Sequence, residues 1–175
     1  LSIINDSTLV GYRYSTGWAK GQKVYFASRF NKAVQAIVFI NDSINKGNIA
    51  IGKKVKAALK FITDSALEVR VAISTVNTDK AMLELNQSNG DRFDITAKKA
   101  DALWEDELQK IKINTNDQNF ATKFYSSLYR TCMAPVVSSD ADGAYQTHNN
   151  LQKKFTKGKE KYTVFSQWDV FRALN

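Results

Sequence analysis

The stretch Lys54-Val55-Lys56-Ala57-Ala58-Leu59-Lys60-Phe61 places Val55, Ala57, Leu59 and Phe61 on one side and Lys54, Lys56, Ala58 and Lys60 on the other. A period of two sends successive side chains to opposite faces of an extended chain. The segment therefore reads as a half-buried β-strand, apolar inward and lysine outward. The same beat runs upstream through Val24, Phe26, Ser28 and Phe30, and through Val34, Ala36, Val38 and Ile40. It resumes at Val69, Val71 and Ile73, expected inward, opposite Glu68 and Arg70. Asn and Gly between positions 41 and 52 supply turns. Short, regularly spaced strands with such punctuation predict an antiparallel β-sandwich. Four or five strands are too few to close one, so the remaining strands are expected upstream of Leu1.

The second half changes period. Ala81, Leu83 and Leu85 suit a short helix after Asn77 and Thr78. Over residues 95–113, Ala100, Leu103, Trp104, Leu108 and Ile111 follow the spacing of one buried helical face, with Lys98, Lys99, Asp101, Asp106 and Lys110 toward water. A third helix is expected over 119–133. There Phe120, Phe124, Leu128 and Thr131 form one stripe, and Tyr125, Tyr129 and Cys132 its neighbour. A stripe this wide predicts a helix covered on two sides, and Pro135, the only proline, ends it. Residues 136–161 read as a loop leading to a last helix at Ser166.

Bulk properties narrow the function. The 175 residues are 43% hydrophobic and 11% aromatic, enough for a core. Mean hydropathy is −0.36, and no apolar run approaches the roughly 18–20 residues of a membrane span. No signal peptide is visible, and the start at Leu1 rather than Met reads as a mature, processed or truncated product with the compartment left open. The single Cys132 excludes an internal disulfide and is expected to be a buried thiol. The single His148 excludes a two-histidine metal site within the chain. Net charge is +8, which raises nucleic acid as a partner. The lysines are dispersed, however. The one dense cluster, Lys153, Lys154, Lys157, Lys159 and Lys161, shares its stretch with Gly158 and Glu160 and reads as a solvated loop. No nucleic-acid partner is expected.

Three constellations could carry chemistry. In Ser166-Gln167-Trp168-Asp169-Val170-Phe171-Arg172, Ser166 and Asp169 fit a helix capping box, and Asp169 can pair with Arg172 at i, i+3. On the structural reading Trp168 and Phe171 are core. On the functional reading the helix mouth faces a pocket, where a carboxylate accepts from sugar hydroxyls and a guanidinium donates to them. The loop Ser139-Asp140-Ala141-Asp142-Gly143 superficially suggests a calcium loop, but position twelve counted from Asp140 is Leu151, not Glu. A turn whose Asp side chains bond local backbone is the expectation, with shaping of a substrate cleft the alternative. Ser15-Thr16-Gly17-Trp18-Ala19-Lys20-Gly21 lacks the Gly-Lys-Ser/Thr ending of a phosphate loop, so Trp18 is read as packing, with sugar stacking the alternative. No carboxylate pair stands out as general acid and base.

Four motifs then occur in order. They are Gly17-Trp18-Ala19-Lys20-Gly21-Gln22-Lys23-Val24-Tyr25-Phe26, Phe124-Tyr125-Ser126-Ser127-Leu128-Tyr129-Arg130-Thr131-Cys132-Met133-Ala134-Pro135, Ser139-Asp140-Ala141-Asp142-Gly143-Ala144-Tyr145, and the run from Tyr162 through Trp168-Asp169 to Arg172. Together they resemble the middle of the family 92 glycoside hydrolases, the bacterial exo-acting α-mannosidases. The resemblance implies an α+β chain: an antiparallel β-sandwich portion followed by helices that begin an (α/α)6 barrel. Residues 1–76 would be the late strands of the sandwich, 77–115 a helical linker and 116–175 the start of the barrel. It also implies release of terminal mannose from α-mannosides with inversion and a need for calcium.

Asp169 would accept from sugar hydroxyls, Trp168 would wall the pocket, and Arg172 would touch sugar or anchor Asp169. The family's catalytic acid, base and calcium ligands belong to the later barrel, and none is assigned to this chain. The partners implied are α-mannose-terminated glycans and the remainder of the same polypeptide, and the place is the periplasm, the cell surface or outside the cell. The chain alone is expected to be inactive, with the segment after Pro135 poorly packed. The rival reading is a non-catalytic carbohydrate-binding β-module with a helical tail.

Overall fold

The computed structural model describes residues 1–17, 21–87, 92–147, 149–156 and 158–163. Its first compact unit comprises Leu1–Gly90 and Ser139–Lys159; the second comprises Asp91–Ser138 and Glu160–Asn175.

In the first unit, strands β1 (Ser2–Asn5), β2 (Thr8–Ser15), β3 (Gln22–Phe30) and β7 (Val69–Ser74) form an antiparallel sheet in the order β1-β2-β3-β7. Strands β4 (Val34–Ile40), β5 (Ser43–Asn45) and β6 (Val55–Phe61) form a second, in the order β5-β4-β6. Asn41 and Asp42, both at positive φ, join β4 to β5. That is the left-handed backbone a two-residue hairpin needs, and Asn and Asp tolerate it best. Helix α1 (Thr78–Gln87) packs against β2, β3 and β7. Its start is capped by Asn77, whose Oδ1 accepts from the Lys80 N–H at 2.8 Å.

Two apolar clusters hold the unit together. Val10, Ala27, Ala81 and Leu85, with Ala72 and Met82, lie between the first sheet and α1. Leu9, Phe30 and Val34, with Leu1, Ile3, Leu59 and Phe61, join the two sheets, with Phe30 and Phe61 rings 5.2 Å apart. Leu9 and Val10 are adjacent and so point to opposite faces. Strand β2 is covered on both sides, and Thr8, Leu9, Val10 and Gly11 are all buried.

Strand β6 sits as its periodicity predicts, with Val55, Ala57, Leu59 and Phe61 inward and Lys56 and Lys60 outward, whereas β3 is covered on both faces, Ala27 being 0% exposed opposite the face of Phe30. Three sequence expectations change. Seven strands occur among the described residues of the first half rather than four or five. Strand β7 is inverted: Val71 and Ile73 are 61% and 66% exposed, while Ala72 and Ser74 face α1. The helix approaches closely only over small side chains, so the less hydrophobic face is the covered one. Residues 136–161 are not one loop, for β8 (Ala144–Gln146) and β9 (Gln152–Lys154) form a hairpin that belongs to the first unit. The lysine cluster is accordingly part strand.

The second unit holds α2 (Phe93–Leu108) and α3 (Gln118–Thr131), close to the predicted spans. Asp117 caps α3, its Oδ1 accepting from the N–H groups of Asn119 and Phe120 at 2.9 and 3.1 Å. Trp104 and Tyr129 rings meet at 4.5 Å. The apolar stripes exist but are not buried: no described residue of either helix is, and Leu103 is 73% exposed. Cys132, expected inside, is exposed at the end of α3. Beyond it, residues 136–138 run antiparallel to 161–163, with Ser138 N–H donating to the Lys161 carbonyl at 2.7 Å and Thr163 N–H to that of Val136 at 2.9 Å.

Candidate functional site

The residues expected to touch sugar, Trp168, Asp169 and Arg172, lie outside the described residues, as do Ser166, Trp18, Lys20, His148 and Lys157. Charge gathers instead around the Asp140-x-Asp142-Gly143 loop. As expected, Asp142 bonds local backbone, its Oδ1 accepting from the Ala144 N–H at 3.1 Å. Its other oxygen, Oδ2, pairs with Lys80 of α1 and with Lys154 of β9, the latter at 2.8 Å. Asp140 Oδ2 accepts from the buried Ser74 hydroxyl at 2.7 Å. The Ala141 N–H donates to Glu84 Oε1 at 2.7 Å, and Gln152 Nε2 to the Val76 carbonyl at 2.8 Å. Lys80 and Glu84, four apart, share one helix face and grip the loop together. Gly143 sits at positive φ, and a Cβ there would come within 3.2 Å of the Phe155 carbonyl oxygen.

The electrostatics follow from these contacts. The Lys154 and Lys80 ammonium groups hold the Asp142 carboxyl well below the usual carboxylate range. The bond to Asp142 raises Lys80 in turn. Burial pushes Asp140 up, opposed by the Ser74 hydroxyl and reinforced by Glu84 and Asp142. A carboxylate clamped between two cations is a poor proton donor, so Asp142 suits structure better than acid–base chemistry. Among the described residues no group of three or more His, Cys, Asp or Glu side chains could hold a metal ion. No helix among them is long and apolar enough to cross a membrane.

The profile described as "Glycosyl hydrolase family 92 N-terminal domain" matches residues 1–74, and that of the "Glycosyl hydrolase family 92 catalytic domain" matches residues 80–175. The chain belongs to glycosyl hydrolase family 92. The two matches meet between β7 and α1, yet α1 and the β8–β9 hairpin, both from the catalytic-domain stretch, pack in the same unit as the sheets.

Among solved structures, the chain is 31% identical to the family GH92 α-mannosidase BT3965 from Bacteroides thetaiotaomicron, over 98% of its own length and 24% of that protein's, with a TM-score of 0.89. The same enzyme in complex with mannoimidazole gives a TM-score of 0.87 at the same identity and the same coverage of both chains. The family GH92 inverting mannosidase BT2199 from Bacteroides thetaiotaomicron VPI-5482 shares the fold at 22% identity, with a TM-score of 0.77 over 95% of this chain and 24% of that one. The chain thus spans about a quarter of the length of these structures. No curated protein sequence matches. The antiparallel sheets followed by helices are those of a mannosidase-related glycoside hydrolase.

Sequence reasoning found the Asp-x-Asp-Gly turn but missed its partners. Lys80 and Glu84 carry a local signal, the i, i+4 spacing on α1. Ser74, Gln152 and Lys154 lie far from the loop or in unrecognised strands, and nothing in their spacing marks them.

Proposed function

We propose that this chain supplies the sandwich-to-barrel portion of a glycosidase that releases terminal mannose from α-mannosides by a calcium-dependent, inverting reaction. The observation that carries the reading is the 31% identity to an α-mannosidase over 98% of the chain. In an inverting reaction one carboxylic acid protonates the leaving oxygen while a second carboxylate activates water on the opposite face of the ring. Among the described carboxylates, Asp140, Asp142 and Glu84 already take hydrogen bonds from their own unit, so none is assigned to either role. Asp169 is assigned to accept from mannose hydroxyls, Trp168 to wall the sugar and Arg172 to contact it or hold Asp169.

Among the described residues no group of three or more His, Cys, Asp or Glu side chains could hold a metal ion, and the calcium ligands are assigned to the remainder of the polypeptide. The reading keeps residues 77–115 as the link between sandwich and barrel, α-mannose-terminated glycans as substrate, the remainder of the polypeptide as partner, and the periplasm or cell surface as the place of action. The test is mannose release from an α-mannoside by the longest polypeptide carrying this sequence, with and without a chelator, beside Asp169→Ala. Release that is abolished by the chelator and falls at least about 100-fold in the variant supports the reading, because a lost transition-state contact is felt on that scale. Absence of mannose release from that polypeptide refutes it.

A further inference from the structure

The hairpin of residues 139–156 is attached to its unit differently from everything else in that unit. Its bonds to the rest are polar: Asp142 to Lys80, Asp140 to Ser74, Ala141 to Glu84 and Gln152 to Val76. Neither apolar cluster of the unit includes a hairpin residue among those described, and the buried apolar contribution of the hairpin is the small Ala144, 6% exposed. Inside itself the hairpin is well tied. Tyr145 and Phe155 stack at 4.6 Å, Phe155 N–H donates to the Gly143 carbonyl at 3.0 Å, and Lys154 closes on Asp142. The flanking strips 136–138 and 161–163, which belong to the second unit, are bonded to each other. An element with strong internal contacts and a polar attachment opens as a unit, below the free energy at which an apolar core opens.

We propose that strands β8 and β9, with the Asp140–Gly143 turn that leads into them, form a clasp that docks on and lifts from the sandwich unit as one element, with Asp142 as its catch. Asp142 is singled out because its carboxylate forms ion pairs on both sides: with Lys80 on the docking surface and with Lys154 within the hairpin. Charge-assisted bonds of this kind are about twice as strong as neutral ones. Removing Asp142 also leaves the partly buried Lys80 ammonium without its counter-charge. The clasp is independent of what the parent enzyme cleaves.

The test is hydrogen–deuterium exchange on the longest polypeptide carrying this sequence, wild type against Asp142→Asn, read by mass spectrometry on peptides covering β8–β9 and, as control, β2–β3. Asparagine keeps an acceptor for the Ala144 N–H and loses the charge. The expected result is selective: hairpin amides exchange about tenfold faster or more, while β2–β3 amides keep their rates. Unchanged hairpin exchange overturns the role of Asp142. Equal acceleration in hairpin and sheet overturns the separate clasp, because the hairpin would then be part of the core's cooperative unit. Should Asp142→Asn fail to fold, Lys80→Gln cuts the same pair from the docking side and is judged on the same peptides.

Discussion

Replacing Leu85 by alanine tests the central packing claim, that α1 is held to the first sheet by one large side chain set among small ones. Leu85 is 2% exposed, and its cluster is otherwise built from Val10, Ala27, Ala81, Ala72 and Met82. The substitution removes three buried carbons, worth about 2.4 kcal/mol at about 0.8 kcal/mol each. A cavity term is added when neighbours cannot fill the gap. Three of the five neighbours are alanines with nothing beyond Cβ to swing inward, so the expected total is about 3–4 kcal/mol. Leu83, 39% exposed on the other side of the same helix, is the control, and its truncation should cost less than about 1 kcal/mol. Because the chain has two compact units, one global melting curve mixes their transitions. Native-state exchange at the Ala27 and Ala72 amides reads the right unit. A loss below about 1 kcal/mol for Leu85→Ala, or equal losses at both leucines, would refute the reasoning.

Other outcomes follow from single contacts. Asp117→Ala removes the acceptor for two N–H groups and should destabilise the first turn of α3 by about 1 kcal/mol, seen as faster exchange at Asn119 and Phe120. Gly11→Ala would drive a Cβ to 2.7 Å from the Phe26 ring, with the Leu1 backbone at 3.3 Å behind it, so a loss of about 1–3 kcal/mol is expected in native-state exchange at β2–β3 amides. Asp142 is depressed in the folded state by Lys154 and Lys80, and faced also by Asp140. Its contribution is therefore present above the ordinary Asp value near pH 4 and lost as pH falls through its lower folded value. Hairpin exchange corrected for intrinsic rate should accelerate between about pH 4 and pH 2 in wild type, and Asp142→Asn should show less of that change.

The strand whose inward face is read most directly from the sequence is one with a wet face. Strand β6 shows lysines to water and branched or aromatic groups to the core, so the pattern carries the answer. Strand β2 was missed because burial on both sides erases alternation: Leu9 serves one cluster and Val10 the other. Strand β7 was placed with the wrong face inward because hydrophobicity and burial part company under a helix. Ala72 fits beneath α1 where Val71 or Ile73 would not, and the larger residues are left outside. The helical stripes of α2 and α3 were read correctly as periodicity, but burial requires a surface to bury against, and the pattern names none. Of the site, the turn at Asp140–Gly143 was local and therefore legible. Its tie to Lys80, 62 residues earlier, is a product of tertiary placement alone.

The pairing of residues 136–138 with 161–163 also makes this part of the chain modular. Where two strips already pair, the length of chain between them adds little to the entropy of closing the loop, since that term grows only with the logarithm of length. The hairpin can therefore lengthen, shorten or be replaced by a short turn from Ser138 to Lys161 without unmaking the ladder below it. What such a deletion would expose is the set of groups on the sheet-and-helix surface that the hairpin satisfies: the Ser74 hydroxyl, the Val76 carbonyl, Lys80 and Glu84. That surface is a ready socket for graft or loop-exchange experiments, with its specificity written in two donors and two acceptors.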